Sequence, residues 1–277
     1  GGTRMDVMLR LSGVSHAYVG PAGASLAVDG LDLDIAAGEF VSLVGPSGCG
    51  KTTILNLMAG LIRPSRGSVE LAGEPVAGPD PRIGYMLQQD YLFPWRIIRD
   101  NALIGFEIAG ERTPEAGRRV DRLLAEFGLA GAARRYPHEL SGGMRQRAAL
   151  VRTLAREPEV LLLDEPFSSL DLLIRLQLED LVWETVRGRG VTAVLVTHDL
   201  EEAAAMSDRV VILASSPGRI RTVLDVPASI RERQPSEARW DPDFGPLFQR
   251  LRGMIQESEG GSATHAREAG ERLDPRA

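Results

Sequence analysis

A single cysteine, Cys49, excludes any internal disulfide in this 277-residue chain, which suits a reducing compartment. No apolar run approaches the roughly 20 residues that a membrane-spanning helix needs. The N-terminal residues carry no signal-peptide pattern. The expectation is a protein soluble in itself, or attached to a membrane only through partners. Net positive charge is missing too: the formal charge of −6 argues against general nucleic-acid binding. No internal repeat and no heptad run are visible. Lysine is the sharpest shortage, because among 32 basic residues only Lys51 is not arginine.

What is present suffices for a core. At 43% hydrophobic residues the chain can bury one large α/β domain or a core with a subdomain. Residues 7–44 alternate apolar and polar, then give a turn and a buried strand in "LDLDIAAGEFVSLVG". "KTTILNLMAGL" reads as a helix, while "GSVELAG" and "RIGYMLQQ" read as short strands. From about Ile97 to Glu157 the pattern turns helical, with Pro and Gly breaks near 110–117 and 128–137. "VLLLDEP" is an unbroken apolar strand, buried on both faces, "VTAVLVTHD" is another buried strand, and an amphipathic helix over 171–188 separates them. "RVVILAS" and "GRIRTVLDV" close the sheet. The expected organisation is one domain over 1–257, with a helical insertion at about 90–157. A tail of Gly, Ser, Ala and charge over 258–277 is expected to be disordered.

Four stretches carry chemistry. "GPSGCGKT", Gly45 to Thr52, fits G-x-x-x-x-G-K-[ST] between a strand and a helix. Gly45, Gly48 and Gly50 free the backbone N–H groups of a loop that also holds Pro46, Ser47 and Cys49 to wrap phosphate, and Thr52 can ligate Mg²⁺, with Thr53 next on the helix. The only lysine stands where a compact ammonium must reach phosphate oxygens, a place that the broad guanidinium fork does not fit. Asp164 and Glu165 end the "VLLLDEP" strand, where open α/β sheets bind ligands. There Asp164 can orient Mg²⁺ and Glu165 can polarise the attacking water. His198 ends the next buried strand and can sense a γ-phosphate. "LSGGMRQR" at 140–147 puts Ser141, Gly142 and Gly143 at a helix start that also suits an anion. Two anion sites in one chain call for an explanation.

Lys51, "LSGGMRQR", "LLLDEP", "SSLD" and "THD", in that order, resemble the ATP-binding subunits of ABC transporters over about residues 7–225. The resemblance implies a P-loop NTPase core of mostly parallel sheet, an antiparallel β subdomain and an inserted helical subdomain. It also implies a head-to-tail homodimer in which Ser141, Gly142 and Gly143 serve the ATP on the other protomer's phosphate loop. By motif, Gln88, which the spacing to "LFPW" favours over its neighbour Gln89, becomes a contact to Mg²⁺ and water, Asp171 lies at the dimer seam, and Tyr18 stacks on adenine. "QQDYLFPW" and "SSPGRI" resemble the nitrate/sulfonate/taurine import branch. Its ATPases work peripherally on the cytoplasmic face of the bacterial inner membrane, with permease subunits and, indirectly, an extracytoplasmic solute-binding protein. Leu92, Phe93 and Trp95 are then expected on a surface loop that receives the permease. The alternative, a soluble ABC-type ATPase acting on DNA or ribosomes, lacks the coiled-coil insertion or second cassette usual in such proteins.

Overall fold

A computed structural model describes residues 6–21, 23–214 and 217–256; the expected tail at 258–277 lies outside them. The alternating N-terminal segment forms β1 (Val7–Gly20) and β2 (Gly23–Ala36), a long antiparallel pair with bulges. Then come β3 (Phe40–Val44), α1 (Lys51–Met58), β4 (Arg66–Leu71), β5 (Glu74–Pro75) and β6 (Ile83–Met86). The insertion holds α2 (Ile98–Ala102), α3 (Ile104–Ile108), α4 (Pro114–Glu126) and α5 (Gly142–Leu154). Beyond it lie β7 (Val160–Asp164), α6 (Leu172–Arg189), β8 (Thr192–Val196) and α7 (Leu200–Met206). β9 (Arg209–Ala214), β10 (Arg219–Asp225), α8 (Ala228–Arg231), α9 (Pro235–Ala238) and a helix over residues 244–256 follow.

Two sheets result. One is antiparallel, in the order β2-β1-β4-β5; the other has the order β10-β9-β3-β8-β7-β6. In the second sheet every neighbouring pair from β9 to β6 is parallel, and only β10 runs against its neighbour. β3, β7 and β8 are buried at every residue, as their mostly apolar runs require, with Ser42 and Thr192 buried among them. Alternation along β7 divides the core. Val160 and Leu162 pack with Leu55 and Met58 of α1 and with Leu9 and Leu11 of the antiparallel sheet. Leu161 and Leu163 face the other way, toward Leu150 of α5, Val120 of α4 and Val182 of α6. A third cluster joins Ala203–Ala205 of α7 and Val210 to Ile230, Leu247 and Leu251 of the C-terminal segment.

The break near 110 ends in a cap: Thr113 accepts the Ala116 N–H at 3.2 Å and Pro114 opens α4. One expectation fails here. Leu92 is only 7% exposed and joins the core with Met86 and Ile98, whereas Trp95 is 70% exposed and Phe93 half-buried. The reason is Asn101, fully buried on α2. Its amide donates to the carbonyls of Phe93, Arg96 and Ile97 at 3.0–3.2 Å and its oxygen accepts the Phe93 N–H at 2.7 Å. The loop is tied down around that amide, with Leu92 beneath and Trp95 outside.

Candidate active site

The parallel order brings the C-terminal ends of β3, β7 and β8 side by side, and each end carries a singled-out motif. After β3 the chain turns through residues 45–50 into α1. Gly50 caps that helix with φ at 87°, and a Cβ there would lie 2.6 Å from Val28 Cγ1 and 2.9 Å from the Ala27 carbonyl oxygen. Only glycine fits such a place. Gly45 is as tight, its missing Cβ falling 2.9 Å from both Cys49 Sγ and the Leu213 carbonyl oxygen. Pro46 is half-buried, Ser47 and Gly48 are exposed at the loop's crest, and Cys49 lies beneath it. Burial pushes the Cys49 thiol up, as for a small packed residue rather than a reactive thiolate.

Lys51 is buried inside this turn. Its ammonium donates to the carbonyls of Gly45 at 2.7 Å and Pro46 at 2.9 Å. A point charge with three free donors can meet two converging carbonyls in so small a space. Thr52 donates through Oγ1 to Asp164 Oδ2 at 3.0 Å. Burial is the main force raising the Asp164 pKa; the Thr52 hydrogen bond opposes it and the neighbouring Glu165 charge adds to it. Tyr18, 46% exposed, stands over the same helix start, its hydroxyl 3.2 Å from the Thr53 hydroxyl and its ring edge-on to His16 at 4.7 Å.

Glu165 has φ at 46° while its N–H bonds the Val196 carbonyl at 2.9 Å. A left-handed glutamate is a strained backbone, the kind that sites retain where a side chain must be aimed. Its Oε2 is the meeting point. Gln88 Nε2, beyond β6, donates to it at 3.3 Å, and His198 Nδ1, beyond β8, lies 3.3 Å away. Thus Tyr18, residues 45–53, Gln88, Asp164, Glu165 and His198 assemble on one edge.

Ser141, Gly142, Gly143 and Asp171 make no hydrogen bond with residues 45–53 among the described residues, although Gly142 lines a cavity with Gln88. Ser141 caps α5, its hydroxyl accepting the Met144 N–H at 3.4 Å, and Asp171 caps α6 by accepting the Ile174 N–H at 3.2 Å. The two helix starts pack on each other, since a Cβ on Gly143 would sit 2.5 Å from Ile174 Cγ2. Among the described residues no hydrogen bond or ion pair links 141–143 to 45–53.

Several positions escaped the sequence reading. Gly218 wedges the phosphate loop from below: its N–H donates to Ala27, its carbonyl accepts from Asp29, both at 2.9 Å, and a Cβ would fall 2.1 Å from the Cys49 carbonyl oxygen. Its only signal was the Pro-Gly of "SSPGRI". One face of α5 grips the stretch after Gln88. Arg145 Nε reaches Asp90 Oδ2 at 3.1 Å, and Arg152 donates to the carbonyls of Asp90 and Tyr91 at 2.6 and 2.8 Å. The spacing from Arg145 to Arg152, two helical turns, was the available clue.

This edge can hold a polyphosphate against a helix start and set a carboxylate and its two neighbours beside the terminal phosphate, which is the chemistry of a P-loop nucleoside triphosphatase. The family model described as ABC transporter matches residues 28–168, and the chain belongs to that family as an ATP-binding, transport-coupled ATPase. It is 48% identical to the uncharacterized ABC transporter ATP-binding protein YtlC of Bacillus subtilis (strain 168), over 88% of this chain and 94% of that one. It is 46% identical to the aliphatic sulfonates import ATP-binding protein SsuB 2 of Burkholderia cenocepacia (strain HI2424), over 79% and 80%. Identity to the taurine import ATP-binding protein TauB of Jannaschia sp. (strain CCS1) is 38%, over 91% and 95%. Among solved structures, the dimeric post-hydrolysis state of the ATP-binding cassette MJ0796 bound to ADP and Pi aligns with a TM-score of 0.71 at 29% identity, covering 80% of this chain and all of that one. None of these relatives supports an ATPase acting on DNA or ribosomes. Among the described residues, no helix is long and apolar enough to cross a membrane.

Proposed function

We propose that the chain is the ATP-hydrolysing subunit of an import system for a small anionic or related solute of the nitrate, sulfonate or taurine class. It works as a homodimer on the cytoplasmic face of the cell membrane, with permease subunits and, indirectly, an extracytoplasmic solute-binding protein. The sulfonate and taurine relatives support the solute class. Trp95, held outward by the Asn101-pinned loop, supports a permease contact there.

The observation that carries the reading is the convergence of Gln88 and His198 on Glu165 Oε2, each at 3.3 Å. Lys51 exchanges its two loop carbonyls for phosphate oxygens, the backbone N–H groups of residues 47–53 wrap the phosphates, and Tyr18 stacks on adenine. Glu165 takes the proton of the water whose oxygen attacks the γ-phosphorus, and the bond to the β-phosphate oxygen breaks, leaving ADP and phosphate. Gln88 and His198 keep that carboxylate and the γ-phosphate in line. Thr52 Oγ1 and the buried Asp164 Oδ2, 3.0 Å apart, with Gln88 nearby, are the hard oxygen donors that Mg²⁺ takes. When bound, Mg²⁺ neutralises the phosphate charge. Ser141, Gly142 and Gly143 serve the partner protomer's ATP, and Asp171 lies at the seam. The exposure of Ser141 and Gly142 and their separation from the phosphate loop support this arrangement.

Glu165→Gln tests the reading. ATP affinity should stay within a few fold, hydrolysis should fall about 10²- to 10⁴-fold as general bases allow, and an ATP-bound dimer should accumulate on size-exclusion chromatography. Ordinary turnover, or an exclusively monomeric variant, would overturn the assigned role.

A further inference from the structure

Gln146 lies on the second turn of α5, only 4% exposed, and no step above uses it. Its Nε2 donates to two main-chain carbonyls that belong to different parts of the site: Gln88 at 3.3 Å and Pro166 at 3.0 Å. One of these residues carries the amide on Glu165, and the other directly follows Glu165. Among the described residues the buried Gln146 Oε1 has no hydrogen-bond partner. Burying an amide oxygen unpaired is costly, so an apolar side chain of the same length would suit packing better. The polar group is therefore kept for what its nitrogen holds.

Around this clamp the surroundings are stiff. Arg145 and Arg152 fix Asp90 and Tyr91 to the same helix, and Pro166 and Phe167 are buried. Gln88 itself is exposed, and its side chain meets Glu165 at a long 3.3 Å. The β6–β7 ladder pairs residues only as far as Met86 with Leu163, and past that end the Gln146 amide joins the main chains of Gln88 and Pro166. We propose that Gln146 is a positioning residue for hydrolysis: its amide pins the main chain of Gln88 to the Glu165-Pro166 turn and so sets the distance between the Gln88 amide and the Glu165 carboxylate. This rests on the catalytic reading of Glu165 and Gln88. It gives the helix that begins with "LSGG" a second task, inside its own protomer, at its next turn.

The test is a double-mutant cycle in the full chain, with steady-state ATPase, nucleotide affinity and thermal unfolding read on each protein. Gln146→Met keeps length and removes the amide. Gln146→Asn keeps an amide too short to span both carbonyls, and covers the case in which the Met variant fails to fold. Either should lower kcat about 10- to 100-fold, the cost of a misplaced group, with KM and ATP affinity within about twofold. In a Gln88→Ala background, where Glu165 sustains residual hydrolysis, the same change should cost less than about twofold more. An unchanged kcat for both Gln146 variants, or an equal loss in the Gln88→Ala background, would overturn the inference while leaving the catalytic reading intact. Wild-type turnover by Gln88→Ala alone would instead break the reading on which it rests, before Gln146 is touched.

Discussion

Two glycine-rich helix starts in this chain follow one local design and end in different situations. At the start of α1 the loop is closed on itself. Gly45 and Gly50 have no room for a Cβ, Lys51 bonds the loop's own carbonyls, and Asp164 of β7, two strands away from β3, meets Thr52. At the start of α5 the serine and first glycine are exposed, and the only side-chain cap is the 3.4 Å bond from Met144 to Ser141. Both places present free N–H groups and the positive end of a helix dipole. The first has Asp164 on Thr52, and Gln88 and His198 on Glu165, within the same chain. The second shares no hydrogen bond or ion pair with residues 45–53 among the described residues, and the proposed function gives its ligand to another copy.

The strongest way to break that contrast is complementation. Lys51→Ala and Ser141→Arg should each abolish hydrolysis alone. Mixing the two should restore part of it, because half of the mixed dimers' sites combine an intact phosphate loop with an intact "LSGG". Absence of recovery in a genetically linked dimer, with a linked wild-type dimer active, would put Ser141 back in its own protomer's affairs.

Next in size is Lys51→Arg. A planar fork cannot bond both the Gly45 and Pro46 carbonyls in the space that the ammonium occupies. ATP affinity should fall by about 1–3 kcal/mol, or roughly 5- to 150-fold. Titration calorimetry that returned wild-type affinity would remove the physical meaning of the lone lysine.

The smallest effect separates two adjacent glycines of the second site. A Cβ on Gly142 meets nothing closer than 3.9 Å, whereas one on Gly143 would be 2.5 Å from Ile174 Cγ2. Gly143→Ala should lower the melting temperature through about 1–3 kcal/mol of overpacking. Gly142→Ala should leave it unchanged or slightly raised and weaken hydrolysis only through the partner's site. Equal thermal shifts for the pair would mean that both glycines serve the fold alone.

Much of the site was legible beforehand because its chemistry is local. The spacing from Gly45 to Thr52, the carboxylates closing "VLLLDEP" and the histidine closing "VLVTH" each need only a few consecutive residues and a strand end. Leu92 misled because it adjoins Phe93 and Trp95; which of three neighbouring apolar side chains turns inward depended on Asn101, whose role as an anchor has no pattern in the chain. Gly218, Gln146 and Arg152 were silent for the same reason, since each acts on main-chain atoms at least 20 residues away.

Sequence alone determined the residue types and the periodicity. The apolar run of "VLLLDEP" had to be a strand buried on both faces, and the spacing from Gly45 to Thr52 had to be a glycine turn between a strand and a helix. Only the tertiary structure decided the neighbours. The order β9-β3-β8-β7-β6 lays the ends of strands from distant stretches of chain beside each other, so that Gln88 and His198, 110 residues apart in numbering, share one oxygen of Glu165. Parallel pairing permits that meeting, because every crossover returns the chain to the same edge of the sheet. Main-chain carbonyls complete the arrangement, and since every residue carries one, no side-chain pattern could mark which of them Lys51, Arg152 or Gln146 would meet.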